Sequence, residues 1–333
     1  MKALITASFH PDGLARLRRL MEVVHEDWRA NQHIYFDGSE FAAVIRRHQA
    51  DVLIVEADLV HEEVLDTCEL KLIGSCRGDP LNVGLVRATA KKIPVLFAPG
   101  RNADAVADLT VANMLCLARH LYTVNLLLKT GQMHFASTKD YLSVYGRYGG
   151  FELGGVTAGI VGFGAIGRAV ARRLQGFGTT LLAYDPYLAP ERMRALGVTP
   201  VELDDLMAQA DIVTIHCPEV PETVGLISRA RIERMKPGAL FLNLARAAIV
   251  DDDALYEAAS SGRLGGVAID VFRDEPVQPD NRFVQLPNCL VTPHLGGATR
   301  DVVRHQTEMI VAGIERWLRG ERPQHIANPE VLG

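Results

Sequence analysis

The stretch G-G-V-T-A-G-I-V-G-F-G-A-I-G-R-A-V-A-R-R-L, from Gly154 to Leu174, decides the fold of this chain. Its apolar residues 156–161 predict a short strand, and the apolar residues after Gly167 recur three and four apart, as on a helix. Between them, Gly162, Gly164 and Gly167 have the spacing G-x-G-x-x-G. The first glycine permits a tight turn, the second lets a pyrophosphate approach the backbone, and the third lets helix and strand pack closely. The stretch therefore predicts a strand, a phosphate-binding turn and a helix.

A second apolar strand is predicted directly after this unit. It runs from Thr179 to Tyr184 and is followed by Asp185, roughly 20 residues past the last glycine, where dinucleotide-binding folds carry an acid for the ribose hydroxyls. A G-x-G-x-x-G spacing alone is weak evidence, because many glycine-rich turns bind nothing. The strand and its acid favour a dinucleotide site over a purely structural turn.

Composition places the chain among ordinary soluble globular proteins. With 333 residues it is long enough for two domains, and its 48% hydrophobic and 23% charged residues do not favour disorder. The net charge is −5, and the arginine pairs are scattered along the chain, so nucleic acid is not an expected partner.

The five cysteines show no C-x-x-C spacing, so neither a metal site nor a disulfide framework is expected. A reducing, cytoplasmic location fits this usage, and the N-terminus lacks the pattern of a signal peptide. The most apolar long stretch, residues 111–128, contains Asn113, Arg119, His120 and Asn125, which would be costly in lipid. It predicts a buried helix and no membrane partner.

The first hundred residues alternate strand-like and helix-like runs, which indicates a parallel sheet with helices on its faces. The expected strands are Ala3–Thr6, Val52–Val55, Leu72–Gly74 and Val95–Phe97, and the expected helices are Pro11–Leu20, Ser39–His48, His61–Thr67 and Asn82–Lys91. No turn in this half carries a dinucleotide fingerprint, so we expect it to bind the substrate.

The middle and end of the chain continue the alternation. Apolar residues at helical spacing predict one long helix from Asn102 to Leu128, which we expect to bridge domains or pair subunits. A polar, tyrosine-rich segment follows at 138–150. Further strands are expected at Asp211–His216, Ala239–Asn243, Gly266–Asp270 and Cys289–Thr292, and a last amphipathic helix at residues 299–318.

Three chemically versatile residues follow predicted strands in this second half: Arg246, Glu275 and His294. In an open parallel sheet, ligands collect at the carboxyl ends of the strands. Hydride exchange between a nicotinamide and a 2-oxo acid needs an acid/base at the carbonyl oxygen and a cation at the carboxylate. Histidine oriented by a carboxylate supplies the first, and arginine supplies the second.

Plainer interpretations of these residues remain open from the sequence. Glu275 is also compatible with a solvated loop charge, and His294 is one of 11 histidines. Arg246 could cap a helix or pair with an acid among residues 251–253. Spacing alone does not show that the three side chains meet.

The motifs taken together resemble the NAD-dependent D-2-hydroxyacid dehydrogenase family, near its 3-phosphoglycerate dehydrogenase and glyoxylate/hydroxypyruvate reductase branches. The resemblance covers residues 72 to 318, with the motifs in order. Besides the glycine-rich stretch, they are Y-D-P from Tyr184, H-C-P-E-V-P-E-T from His216, N-L-A-R-A-A-I-V-D-D-D-A-L from Asn243, G-V-A-I-D-V-F-R-D-E-P from Gly266 and T-P-H-L-G-G-A-T from Thr292.

The resemblance implies an α/β fold with two doubly wound parallel-sheet domains. A Rossmann NAD-binding domain (101–298) would be inserted into a split flavodoxin-like substrate domain (1–100 plus 299–333), with the catalytic cleft where they meet. It implies that Arg246 binds the substrate carboxylate, that Glu275 orients His294, and that His294 is the acid/base. It also implies a homodimer paired through the nucleotide domain and helix 102–128.

The family's cofactor contacts can be carried over residue by residue. The implied NAD-binding residues are Gly162, Gly164, Ala165, Ile166, Gly167, Asp185, Cys217, Pro218, Ala245, Asp270 and Gly296. Asp185 would hold the adenosine ribose and Asp270 the nicotinamide carboxamide. No arginine adjoins Asp185 to meet a 2′-phosphate, which favours NAD over NADP.

The chain departs from the family in the turn after the strand at 72–74. The family has a glycine-rich turn whose amides meet the substrate carboxylate, whereas here it reads G-S-C-R-G-D-P-L-N-V-G. The implied substrate contacts are Cys76, Arg77, Gly78 and Arg246. Arg77 suggests a second anionic group on the substrate; the alternative is a surface salt bridge with Asp79. Ala247 also replaces the glycine that usually follows the arginine.

We therefore expect an NAD-dependent enzyme that interconverts a D-2-hydroxy acid and its 2-oxo acid. The alternative from another class is an NADH-sensing binding protein, like the corepressors that resemble this family, with little turnover. Formate dehydrogenase shares the fold, but Glu275 before Pro276 favours the hydroxyacid branch.

Overall fold

The structure, a computed structural model, describes residues 1–332 of the 333-residue chain. The chain divides into two compact units. The first contains residues 1–102 and the C-terminal residues from Thr299, and the second contains Ala103–Ala298.

The first unit is built on a five-stranded parallel sheet. Its strands are β1 (Lys2–Ile5), β2 (Glu22–His25), β3 (Val52–Val55), β4 (Leu72–Ser75) and β5 (Val95–Phe97). Its helices before the chain leaves the unit are α1 (Pro11–Arg18), α2 (Trp28–Asn31), α3 (Gly38–His48), α4 (Glu62–Thr67) and α5 (Leu85–Ala90). The order β2-β1-β3-β4-β5 is the flavodoxin-like one, and β3 and β4 are buried throughout, as in sheets covered on both faces.

The second unit is built on a seven-stranded parallel sheet. Its strands are β6 (Thr157–Val161), β7 (Thr180–Tyr184), β8 (Thr199–Pro200), β9 (Ile212–Ile215), β10 (Leu240–Asn243), β11 (Gly266–Ile269) and β12 (Cys289–Val291). Its helices are α6 (Ala103–Ala118), α7 (Leu121–Lys129), α8 (Thr138–Tyr148), α9 (Ala165–Gln175), α10 (Pro190–Ala195), α11 (Leu203–Gln209), α12 (Arg229–Arg234) and α13 (Asp252–Ser260). The order β12-β11-β10-β9-β6-β7-β8 reverses direction between β6 and β9, where such folds bind dinucleotides.

The last α-helix, α14 (Arg300–Leu318), belongs to the first unit. Its apolar face, with Ile310, Val311 and Ile314 buried, joins the core on one face of that sheet. Arg16 of α1 forms an ion pair of 2.8 Å with Glu315. The predicted fold class, α/β with two doubly wound parallel sheets, is confirmed.

The predictions of one long helix from Asn102 to Leu128 and of a buried helix over residues 111–128 are wrong. His120 has a left-handed backbone, with φ of 51°, and it divides α6 from α7, whose axes differ in direction by 66°. Half of the residues of α6 are buried, but none of those of α7 are. Within residues 1–332 no single helix is long and apolar enough to span a membrane; α6 and α7 pass that test only as a bent pair.

The helix predicted from Asn82 to Lys91 begins later, at Leu85, because the Asn82 side chain is hydrogen-bonded to residues outside the helix. Its buried side chain accepts a hydrogen bond from the Ser75 hydroxyl (2.8 Å) and donates one to the Asp58 carbonyl (2.9 Å). Asn82 therefore fixes the turn that follows β4.

Candidate active site

Two glycines after β6 are required by the shape of the turn. Gly162 has φ of +90°, and an added Cβ would lie 2.5 Å from the Cys217 amide nitrogen. A Cβ on Gly167 would collide with the Gly162 carbonyl oxygen. A side chain at Gly162 would displace the segment after β9, and one at Gly167 would push α9 away from the end of β6.

Gly164 leaves open space at the start of α9. An added Cβ there would meet nothing within 4 Å. The first N–H groups of the helix, including those of Ala165 and Ile166, have no carbonyl partner within it, and the helix dipole favours negative charge at this end. The residues present therefore fit the pyrophosphate of a dinucleotide.

Asp185, at the end of β7, supports the same turn. Its Oδ2 accepts a hydrogen bond from the Phe163 amide (2.8 Å), and its Oδ1 accepts one from the Tyr187 amide (3.0 Å). A carboxylate has about four acceptor positions, so two remain for ribose hydroxyls.

The segment after β9 contributes neutral groups beside Gly162. Burial lowers the pKa of His216 to about 3, so its ring is uncharged; its Nε2 lies 2.9 Å from the Thr214 hydroxyl, and its Nδ1 has no partner among residues 1–332. Burial raises the pKa of Cys217 to about 11, so this thiol is not a nucleophile. Cys217 and Pro218 therefore contribute an uncharged surface to the site.

Arg246 is exposed on the loop that follows β10. The Asn243 side chain holds this loop by donating to the Arg246 carbonyl (2.9 Å) and accepting from the Ala245 amide (3.1 Å). The guanidinium donates once, to the Ala245 carbonyl (2.7 Å), and has no ion pair among the described residues. Its remaining donors are available to a carboxylate.

The alternative partners for Arg246 are engaged elsewhere. Asp251 caps α13 by accepting from the Ala254 amide, Asp252 pairs with Arg273, and Asp253 pairs with Arg282.

Glu275 is held from two sides. Its Oε1 accepts a hydrogen bond from the Phe272 amide (3.0 Å), and its Oε2 lies 2.8 Å from Nδ1 of His294. Burial opposes ionisation, but the hydrogen bonds from His294 and Phe272 and the charge of Arg246 outweigh it, so the pKa of Glu275 is lowered. Glu275 is therefore an ionised, fixed carboxylate and not a loosely solvated charge.

His294 lies on a strained loop with its ring half exposed. Its backbone φ is +56°, and its amide donates to the Asp270 carbonyl (2.8 Å). Since an ionised carboxylate only accepts hydrogen bonds, the contact to Glu275 assigns a proton to Nδ1. Nε2 is then the atom left to exchange a proton with a ligand.

Asp270 is the anchor of that loop. It is 1% exposed and accepts hydrogen bonds from the Thr292 hydroxyl (2.6 Å) and from the amides of Leu295 (2.7 Å) and Gly296 (2.8 Å). A Cβ on Gly296 would approach its Oδ2 to 2.9 Å. Its expected contact with the nicotinamide carboxamide stays a prediction.

The structure thus brings Arg246, Glu275 and His294 together beyond the carboxyl ends of β10, β11 and β12. Arg246 acts electrostatically on Glu275, and Glu275 contacts His294 directly. An oriented imidazole beside a free guanidinium is suited to general acid/base chemistry on a carboxylate-bearing ligand.

The turn after β4 belongs to the first unit. Cys76 is fully buried and donates its amide to the Val55 carbonyl (2.7 Å), so it exposes no atom to a substrate, and we withdraw it as a contact. The Arg77 carbonyl accepts from the Ala98 amide (2.8 Å), but its guanidinium has no hydrogen bond or ion pair among the described residues. The suggested salt bridge with Asp79 is not formed within residues 1–332.

Sequence reasoning missed three supporting residues of the second unit: Asn243, Thr292 and His216. Each lies at or just past the end of a strand, and each acts on backbone or neighbouring side chains. Their position near the strand ends was the only available signal. Within residues 1–332, no group of three or more His, Cys, Asp or Glu side chains could hold a metal ion.

The chain is similar to several known proteins. A family model described as the NAD-binding domain of D-isomer-specific 2-hydroxyacid dehydrogenases matches residues 111–296. A Bacillus subtilis (strain 168) protein, YoaD, provisionally named a 2-hydroxyacid dehydrogenase, is 34% identical over 329 residues, or 98% of this chain and 93% of YoaD.

A longer relative and a solved structure are also similar to this chain over nearly its whole length. The D-3-phosphoglycerate dehydrogenase of Archaeoglobus fulgidus is 32% identical over 96% of this chain, which spans only 58% of that protein. A crystal structure of a Thermus thermophilus protein has a TM-score of 0.81 and 32% identity, covering 98% of this chain and 100% of that chain.

Proposed function

Because this chain belongs to the family of D-isomer-specific 2-hydroxyacid dehydrogenases and is an NAD-dependent oxidoreductase, we propose that Arg246, Glu275 and His294 perform its catalysis. The proposed reaction interconverts a D-2-hydroxy acid and its 2-oxo acid. The observation that carries the proposal is the 2.8 Å contact between His294 Nδ1 and Glu275 Oε2, which leaves Nε2 free.

In the proposed mechanism NADH, when bound, supplies the hydride for reduction. Arg246 binds the substrate carboxylate through two parallel hydrogen bonds and orients the carbonyl. His294 Nε2 donates a proton to the carbonyl oxygen, and Glu275 stabilises the protonated ring before transfer. In the oxidative direction neutral Nε2 accepts the hydroxyl proton.

The cofactor proposal assigns individual residues to NAD. The N-terminus of α9 with Gly162, Gly164, Ala165, Ile166 and Gly167 would hold the pyrophosphate, and Asp185 the adenosine ribose. Cys217 and Pro218 would line the adenosine side, and Ala245, Asp270 and Gly296 the nicotinamide side. The open space at Gly164 and the spare acceptors of Asp185 support this assignment.

The test is NADH oxidation by the purified protein against a panel of 2-oxo acids, with chiral analysis of the product. Consumption of one acid with formation of its D-2-hydroxy product supports the enzyme. Tight NADH binding with no turnover on any acid would favour the alternative, an NADH-sensing binding protein.

We propose that Arg77 and Gly78 contact the substrate and that Arg77 binds a second anionic group on it. The guanidinium is partly exposed and has no hydrogen bond or ion pair among residues 1–332, so its N–H donors are free for an anionic group.

Arg77→Ala should lower kcat/KM about tenfold or more for a 2-oxo acid with a distal phosphate or carboxylate, because a hydrogen bond to a charged group contributes roughly 1.5–3 kcal/mol. The same change should barely affect the matched acid without that group. Steady-state kinetics on hydroxypyruvate and its phosphate make the comparison, with Asp79→Asn as control. Equal losses on both acids would remove Arg77 from substrate recognition.

We propose that the protein is a homodimer paired through its second unit. Apolar side chains of α7 and α8 are at least two-fifths exposed: Leu121, Tyr122, Leu126, Leu128, Tyr141, Leu142 and Tyr145. Exposed apolar side chains such as these are common where protein chains associate. Sedimentation analysis should give twice the chain mass, and Leu126→Glu should shift it towards the monomer.

We also propose a cytoplasmic location. All five cysteines are free, which fits a reducing compartment. Cell fractionation checks this assignment.

A further inference from the structure

The loop that carries Glu275, residues 271–276, is tied to α13 by an ion pair. Nε of Arg273 donates to Oδ2 of Asp252 over 3.1 Å. Asp252 lies in the first turn of α13, and its side chain is 28% exposed. Resting on the proposed function, we propose that Asp252 and Arg273 are positioning residues that set the place of Glu275, and through it the orientation of His294.

A cavity separates the loop from α13, so the ion pair is a main link between these two segments. The cavity measures about 120 Å³ and lies between the loop and α13, with Val271, Phe272 and Arg273 on one side and Asp252 and Leu255 on the other. Across this gap the two segments do not touch, so side-chain packing there does not fix the distance between them. The ion pair at its edge supplies that constraint.

The same cavity is also bordered by Asn243, which holds the Arg246 loop. Glu275 itself is held to its loop by the Phe272 amide alone, besides its contact with His294. A shift of Phe272 would therefore displace the carboxylate directly. Arg273 directly follows Phe272 in the chain. Its ion pair with Asp252 therefore fixes the backbone next to the amide that binds Glu275.

The surroundings of Asp252 favour a stable pair. Burial raises the pKa of Asp252, and the positive charges of Arg273 and Arg282 oppose that rise. Loss of Arg273 leaves a partly desolvated carboxylate without its direct partner, which is costlier than loss of a fully exposed pair.

The chain offers a matched control in the neighbouring ion pair. Arg282 pairs with Asp253 over 2.7 Å, from the same turn of α13, and its guanidinium lies over the rings of Tyr256 (4.9 Å) and Phe283 (5.4 Å). Arg282 also borders the cavity, but its guanidinium forms no hydrogen bond or ion pair with residues 271–276. Arg282→Gln therefore removes an equivalent charge and pair without releasing the Glu275 loop.

The test compares Arg273→Gln with Arg282→Gln in the pH profile of 2-oxo acid reduction. For Arg273→Gln we expect kcat to fall about three- to tenfold, which is a fraction of the rate contribution of a positioned acid/base. The KM for NADH should stay unchanged. The falling limb of the profile should move to lower pH, because a misplaced Glu275 stabilises the protonated His294 less. Arg282→Gln should match the wild type.

The direction in which the falling limb moves distinguishes a positioning role of Arg273 from a direct electrostatic effect of its charge on His294. Removing a positive charge would by itself favour protonation of His294 and move the limb to higher pH. Asp252→Asn should reproduce the Arg273→Gln effect, and the double variant should be no worse than either single one, since both break one interaction. Arg273→Lys, which keeps the charge, should restore most of kcat.

An NMR titration of the His294 ring gives a readout that needs no substrate. If the wild type reduces no 2-oxo acid, the proposed function fails, but the titration still tests the positioning role. Its midpoint should fall in Arg273→Gln and stay unchanged in Arg282→Gln, with thermal unfolding confirming that both fold. An unchanged or raised midpoint in Arg273→Gln would overturn the inference.

Discussion

His294→Asn should bind NADH normally but reduce 2-oxo acids about 10²–10⁴-fold more slowly than the wild type, the usual contribution of a positioned acid/base. Asparagine is the preferred substitution because residue 294 has φ of +56°, which asparagine tolerates better than alanine. The loss then reports the missing imidazole and not a rearranged loop.

NADH affinity is the control for this variant. The turn at Gly162–Gly167, which we propose binds the cofactor, makes no hydrogen bond to the His294 side chain, so a fluorescence titration with NADH should give a similar Kd. His294→Ala should lose as much turnover. Full activity in either variant would remove His294 from the mechanism.

Arg246→Gln should lower kcat/KM for every 2-oxo acid by about 10²–10⁴-fold, since it removes two charge-assisted hydrogen bonds of roughly 1.5–3 kcal/mol each. Its guanidinium has no ion pair among the described residues, so the variant loses little folded-state stability. Both kcat and KM should change, because in the proposed mechanism the arginine binds the carboxylate and also orients the carbonyl.

A second arginine serves as the control for Arg246. Arg229 pairs with Glu257 on the surface over 2.5 Å, and Arg229→Gln should leave the kinetics unchanged. Arg246→Lys should recover only part of the activity, because an ammonium cannot form the two parallel bonds. A wild-type KM in Arg246→Gln would show that the substrate carboxylate is bound elsewhere.

The parts of the fold that follow from local rules could be predicted from the sequence. Gly162 and Gly167 are required by close backbone approaches, which leave no alternative residue type, and a buried strand such as β3 is a continuous apolar run. Arg246, Glu275 and His294 could be named as candidates because strand ends of a parallel sheet carry ligand sites.

Other features depend on tertiary contacts that periodicity does not show. The break at His120 leaves the apolar pattern of residues 102–128 intact, so the sequence could not reveal that α7 is exposed. The burial of Cys76 and the anchoring role of Asp270 likewise depend on neighbours distant in sequence. Asp252 and Arg273 are 21 positions apart, and no local pattern joins them.

The most direct test of the catalytic assignment is the pH profile of 2-oxo acid reduction by Glu275→Gln beside the wild type. The ionised Glu275 stabilises the protonated form of His294, which is the form that donates the proton. Without that charge the falling limb should move to lower pH, with NADH affinity unchanged. An unmoved limb would contradict the account, because the 2.8 Å contact between Glu275 and His294 would then have no part in catalysis.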